Sequence, residues 1–191
     1  MTYGCVFCRT GKEESFASTI TETFPNMETI VAKKMRVIRK GRDSVEEAVI
    51  LFPGYVFFRM EVDETRARKA FPIEFQQIYR WSDTYRLLTN VDGDWQLMGS
   101  DLQMAQRLFD EGGTVGFSKV FFDEGNRVRV LEGFLKDYEG NIVRVDKRHR
   151  AVQVRVDFQG KTVTMWLGYE VIEKPDEVSK NADEARHDQV K

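Results

Sequence analysis

Phe16, Ile20 and Phe24 recur four apart between Glu13 and Phe24. That spacing sets them on one face and predicts an amphipathic helix over this stretch. Before it, Tyr3–Cys8 is a short apolar run that predicts a strand. Thr29–Ile38 alternates in places, with Val31, Met35 and Val37 on one side. Val45–Leu51 and Tyr55–Met60 predict two further strands, parted by Pro53-Gly54, a strong turn signal. Asp63–Phe71 predicts a short helix, and Gln77–Trp81 and Arg86–Thr89 predict short strands. Ser100-Asp101-Leu102-Gln103 fits a capping box that opens a helix running to Asp110. Elements mixed in this order predict an α+β sandwich, with helices packed on a largely antiparallel sheet.

The pattern changes at Glu111-Gly112-Gly113, where paired glycines follow a helix. A linker is expected over residues 111–121. From Phe122 to Lys174 the pattern is all strand. Val128 and Val130 alternate with Arg127 and Arg129, and Ile142–Val145, Val152–Phe158 and Val163–Leu167 continue the alternation. Turns are expected at Glu132-Gly133, Glu139-Gly140, Asp146–Arg150 and Gln159-Gly160. Short strands at this spacing predict a small closed barrel with Val152, Val154, Val156 and Phe158 in its core. From Pro175 the chain is polar and is expected to be a disordered tail over 175–191. The organisation expected is thus 1–110, a linker at 111–121, a barrel over 122–174 and a tail.

Composition narrows the function classes. The net charge of −2 excludes a protein that is basic throughout, so nucleic-acid binding must come from local patches. No run of about 18 apolar residues exists to span a membrane, and the first residues lack the pattern of a secretory signal, so the cytoplasm is expected. Cys5 and Cys8 form a lone C-x-x-C. A zinc site would need two more ligands, and a strand places residues three apart on opposite faces, so two buried cysteines are favoured over a redox pair. No phosphate loop, H-E-x-x-H or G-x-S-x-G occurs, and the only histidines are His149 and His187. Neither catalysis nor a cofactor or metal is expected.

Two stretches carry a family resemblance. Leu51-Phe52-Pro53-Gly54-Tyr55-Val56 is similar to the L-F-P-G-Y-V segment of NusG-type N-terminal domains. Asn126–Asp146 (NRVRVLEGFLKDYEGNIVRVD) resembles the KOW motif, and the two stand in the family order. The resemblance implies an N-terminal NusG-type (NGN) α/β sandwich with an antiparallel sheet, followed by a small five-stranded KOW β-barrel of SH3-like form. It implies a monomeric transcription elongation and antitermination factor that binds the clamp helices of RNA polymerase. Phe71–Phe75 lacks the T-x-G-V tract of general NusG proteins. The opening Cys5–Gly11 looks closer to specialised antiterminators of the family, of which the LoaP type fits the strand alternation of the second half best.

Site expectations follow from both kinds of reading. By match to the family motifs, Phe7, Pro53, Tyr55, Phe57 and Trp81 are the polymerase-binding candidates. Tyr55 and Phe57 share one strand face while Val56 and Phe58 take the other, so both faces of one strand need an apolar cover. A partner would supply the second cover, unless the chain covers both faces itself. Lys33, Lys34, Arg36, Arg39, Lys40 and Arg42 form a basic run around an expected hairpin turn. It could track phosphate on DNA or stand as a solvated hairpin. Arg36, Arg39 and Lys40, with Arg9 and Arg80 by position, are candidates for contact with non-template DNA. In the second half ten Lys/Arg meet nine Asp/Glu, yet Lys147-Arg148-His149-Arg150 fill one turn. With Arg129, Lys136, Arg144 and Arg155 they are candidates for binding an RNA hairpin in the nascent transcript. The competing reading is a barrel that binds a ribosomal or termination protein through the Phe134–Tyr138 loop.

Overall fold

The computed structural model describes residues 1–61, 76–77, 86–90 and 92–173. The expectations for Asp63–Phe71, Phe71–Phe75, residues 78–81 with Arg80 and Trp81, and the tail lie outside the described residues.

The first half follows the hydrophobic pattern closely. Strand β1 (Thr2–Phe7) leads to helix α1 (Glu13–Thr23), then β2 (Met27–Ile30), β3 (Lys33–Lys40), β4 (Asp43–Ile50), β5 (Tyr55–Met60) and β6 (Arg86–Leu87). The stretch expected as one strand over Thr29–Ile38 is two, because Val31 and Ala32 carry the chain from one sheet to another. Helix α2 (Gly99–Asp110) follows. The capping box does not form: the helix is capped two residues earlier, at Met98, with no side-chain cap bond, and Asp101 is engaged elsewhere.

A four-stranded antiparallel sheet runs β2-β5-β1-β6. Its two faces are covered differently. Val6, Cys8, Val56, Phe58 and Met60 pack on Phe16, Ala17 and Ile20 of α1, and on Trp95. Cys5 and Phe57 face the other way, toward Met104, Ala105 and Leu108 of α2. The period-two alternation of β1 and β5 therefore sends each apolar set under a different helix. Cys5 and Cys8 fall in different clusters, as strand geometry requires.

A second sheet holds β4, β3 and the short β7 (Thr114–Val115), which lies parallel to the start of β3. This strand occupies part of the stretch expected as linker, and β8 (Ser118–Phe122) takes more of it. Only Gly116 and Phe117 separate the two.

The second half continues with β9 (Val128–Glu132), a 3-10 helix (Phe134–Asn141), β10 (Ile142–Asp146), β11 (Ala151–Phe158) and β12 (Lys161–Val171). The expected turn at Glu139-Gly140 is the end of that 3-10 helix. The sheet order is β10-β11-β12-β8-β9, with β8 parallel to β12. Val152, Val154, Val156 and Phe158 are buried, as their alternation predicts. The sheet curls into a half-barrel, and β9 and β10 remain its two ends without pairing to each other. Full closure, expected from edge protection, is absent from the ladders.

The two halves pack together. Phe158, at the end of β11, inserts among Phe52, Tyr55 and Phe57 with ring centroids 5.7–5.8 Å apart. Backbone N and Nε2 of Gln159 both donate to Asp101 Oδ2 at 3.0 Å. Lys34 Nζ donates to the Trp166 carbonyl at 2.5 Å. Cores of both halves merge into one continuous apolar cluster.

Candidate functional site

Of the expected polymerase-binding residues, Phe7, Pro53, Tyr55 and Phe57 gather in an aromatic cup at one end of β1 and β5, and Trp81 lies outside the described residues. Antiparallel register sets Phe7 opposite Tyr55, and their rings meet edge to face at 5.3 Å. Phe52 meets Phe57 at 5.8 Å and Tyr55 at 6.4 Å. Phe7 is exposed at 37%, Pro53 is exposed and Tyr55 is half-buried, but Phe57 is wholly buried. The second apolar cover of β5, which a partner could have supplied, comes from within the chain: α2 and Phe158.

A residue that the sequence pattern did not single out fixes this cup. Glu13 is buried at 1%, and its carboxylate accepts the Gly54 N–H at 2.7 Å and the Gly11 N–H at 2.8 Å. It ties the start of α1 to the turn before Tyr55. Cys8 N–H also donates to the Gly54 carbonyl at 2.7 Å. Gly54 has φ +85°, and a Cβ there would lie 2.7 Å from the Phe7 ring. Only glycine admits both the left-handed backbone and the aromatic neighbour. A lone Glu at a helix start reads as a dipole-compensating residue, so sequence gave no signal for the clamp.

The basic run Lys33–Arg42 is a hairpin, as expected, but pairing changes its charge. Strand β4 sets Glu47 opposite Arg36 and Asp43 opposite Lys40. Arg36 forms an ion pair with Glu47, with Nε donating at 2.7 Å, and Lys33 pairs with Glu14. Burial lowers the Lys34 pKa, with Arg36 nearby adding to the effect. Arg39 and Lys40 are exposed at the tip side of the hairpin, and Arg9 is exposed at the end of β1. The structure thus separates Arg9 in sequence and sheet from the hairpin cations.

The half-barrel sorts its cations into two groups. Arg129 is held by Asp123 at 3.0 Å and Glu139 at 3.3 Å. Lys136 folds back to the Leu131 carbonyl, and Lys147 donates to Asn126 Oδ1 at 2.7 Å while sitting over the Phe122 ring. The His149 ring bonds Asp146 at 2.8 Å, and this bond holds the Asp146 carboxyl below its ordinary pKa. The guanidinium groups of Arg148, Arg150 and Arg155 are exposed and form no hydrogen bond or ion pair among the described residues, although the Arg150 and Arg155 carbonyls accept from Tyr169 N–H and Asn141 Nδ2. Arg144 lies with its guanidinium 5.8 Å from the centre of the Trp166 ring. Trp166 was not singled out from sequence. Its cross-strand position opposite Gln153, on the face away from the valine core, was the available signal.

The Phe134–Tyr138 loop, expected as an alternative protein-docking site, turns inward. Phe134 and Leu135 are buried, and Tyr138 is half-buried with its pKa pushed up to about 12 by burial. Cys5 and Cys8 are free and fully buried. Burial raises both thiols, Cys5 well above its ordinary value and Cys8 to about 11, so neither carries a reactive thiolate at neutral pH. Among the described residues no group of three or more His, Cys, Asp or Glu is arranged to hold a metal. No described helix is long and apolar enough to cross a membrane.

An antiparallel sheet clothed by two helices, bearing an aromatic cup and joined through two residues to a curled five-stranded sheet with free arginines, defines a two-part α+β protein. The family model described as "Transcription termination factor nusG" matches residues 1–99, just over half of the chain. The chain belongs to the NusG family of transcription termination and antitermination factors. It is 26% identical to the transcription termination/antitermination protein NusG of Helicobacter pylori strain J99 over 141 residues, which cover 73% of this chain and 74% of the relative. It is 26% identical to the NusG of Pseudomonas aeruginosa strain PAO1 over 166 residues, covering 86% and 83%.

Proposed function

We propose that this chain is a specialised elongation and antitermination factor of the LoaP type. In this reading the aromatic cup around Tyr55 grips the clamp helices of RNA polymerase, and the turn at Lys147–Arg150 reads an RNA hairpin in the nascent leader. It works as a cytoplasmic monomer, with Arg9, Arg39 and Lys40 near non-template DNA. Residues 1–110 supply the polymerase-binding domain and 122–174 the RNA-binding one.

The observation that carries the polymerase part is the occupant of the cup. One ring, Phe158, lies on Phe52, Tyr55 and Phe57, while exposed Phe7 and Pro53 extend the same apolar surface. A helical partner would present its own apolar side chain to that place, so polymerase and Phe158 compete for the cup. The RNA part rests on Arg148, Arg150 and Arg155, free cations on a sheet where other basic groups are neutralised. A second reading, a general NusG-like factor whose half-barrel binds a ribosomal or termination protein, is favoured by exposed Val143 (47%) and Val145 (37%) on β10.

Two measurements test this. Tyr55→Ala and Phe7→Ser should each lower co-purification with RNA polymerase at least several-fold while the protein stays folded; capture at parental levels overturns the grip. Phe57 is unsuitable, because its removal empties the core. A photo-cross-linking residue at Arg148 in a stalled elongation complex should label nascent RNA. Labelling of protein alone overturns the RNA reading in favour of the second.

A further inference from the structure

Between the hairpin of the first half and the half-barrel lies a groove of about 530 Å³. One wall is β3 from Lys34 to Arg39. The other holds Arg148, His149 and Trp166. The β3 wall is an open strand edge: β7 pairs only with Lys33 and Lys34, and beyond them that edge has no strand partner among the described residues. Backbone N–H groups there are available as donors.

The groove combines three features. Arg39 and Arg148 supply positive charge from the two halves, while Arg36 is held by Glu47 and Asp146 is engaged by His149. The open edge supplies backbone donors. Trp166 supplies a partly exposed indole, with Arg144 beside its ring. Cations spaced along a channel beside an aromatic platform suit a polyanion with flat rings, a single nucleic-acid strand.

We propose that the hairpin β3–β4 and the half-barrel together form one binding groove for single-stranded RNA, with Arg39 and Arg148 on the phosphates and Trp166 stacked on a base. This rests on the RNA reading of the basic turn and extends it: the site spans both halves instead of belonging to the barrel. Its compatibility with polymerase binding follows from position. The groove adjoins the Gly116–Phe117 connection, whereas Phe158 sits at the far end of β11–β12, roughly 20 Å away at the rise of a strand.

The test uses the full chain and a fluorescein-labelled, mixed-sequence 12-nucleotide RNA, followed by anisotropy over a range of salt. Arg39→Gln should weaken binding several-fold and reduce the slope of log affinity against log salt by about 0.7, the contribution of one phosphate contact on a single strand. Trp166→Leu should weaken binding about tenfold, with Trp166→Phe restoring most of it, as a stacking role requires. Thermal melts and circular dichroism of each variant exclude unfolding as the cause. Parental affinity and slope in the hairpin variant, with loss only in Arg148→Gln, overturns the shared groove and leaves the barrel reading standing. Absence of binding by the parent overturns the groove, while the RNA-hairpin reading stands or falls on the cross-linking at Arg148. DNA of the same sequence binding as tightly overturns the assignment to RNA, and displacement of the RNA by a poly-glutamate peptide at equal concentration overturns nucleic-acid selectivity.

Discussion

Glu13 shows how much one buried carboxylate can organise. Its two oxygens satisfy the N–H groups of Gly11 and Gly54, fastening the loop before α1 and the turn before Tyr55 to a single point. Without it, a buried donor on Gly54 loses its partner. Glu13→Ala should therefore destabilise the protein by about 3 kcal/mol, at the upper end for leaving such groups unsatisfied. Glu13→Gln retains one acceptor and should cost about half as much. Urea unfolding compares the two; equal, negligible costs would show that the clamp is dispensable. The same scale explains the cysteines. A C-x-x-C on a strand divides its thiols between two cores, so the spacing that suggests redox chemistry on a helix has no such meaning here.

Among the elements, the turn that follows β9 is the most constrained. Gly133 has φ +96°, and a Cβ would lie 2.7 Å from Ser118 Oγ and 2.8 Å from Ser118 Cα. Ser118 is itself buried, and its hydroxyl accepts the Leu135 N–H at 3.0 Å. Gly133→Ala should thus cost about 2–3 kcal/mol through strain and displacement of the β8 backbone. Differential scanning calorimetry would reveal the loss; an unchanged melting temperature would refute the packing argument. The glycine was legible as a turn. Its neighbour was not, because Ser118 stands 15 positions earlier in a stretch that reads as linker. Strand β7 escaped for a related reason: two residues hold no period, and only the edge of β3 makes them a strand. The hairpin misleads in the opposite direction. Its basic run is plain in sequence, but the cross-strand Glu47 is ten or more positions away and becomes a partner only through register.

At the scale of the whole molecule, a polar link and an aromatic plug join the halves. Burial raises the Asp101 pKa above the ordinary aspartate value, outweighing the two hydrogen bonds from Gln159 that lower it. A carboxyl whose folded pKa is raised binds its proton more readily folded than unfolded. Its contribution to stability is fully present below the unfolded pKa of about 4 and is lost as pH rises through the folded value. Asp101→Asn, which keeps an acceptor without the charge, should flatten that part of the acid profile and hold the melting temperature at pH 7 at or above the parent's. A steeper profile in the variant would contradict the assignment. The plug offers a sharper experiment. Phe158→Ser removes the ring from the cup, at a stability cost of about 3–5 kcal/mol for a buried phenylalanine. If Phe158 and polymerase share that surface, the folded variant should be captured by polymerase more efficiently than the parent. Reduced capture would count against the competition.

The sequence by itself determined the longer elements of both halves, the faces of β1 and β5, the valine core of β11 and the family motifs that name the chain's relatives. Each is written in local periodicity or in a turn residue, where nearest neighbours along the chain carry the signal. Tertiary structure alone decided that the halves dock, that Phe57 is buried instead of offered to a partner, that Glu13 clamps the Gly54 turn, and which arginines remain free. Those outcomes depend on distance in space between residues far apart in the chain. Burial and charge pairing follow that distance, and no local pattern encodes it.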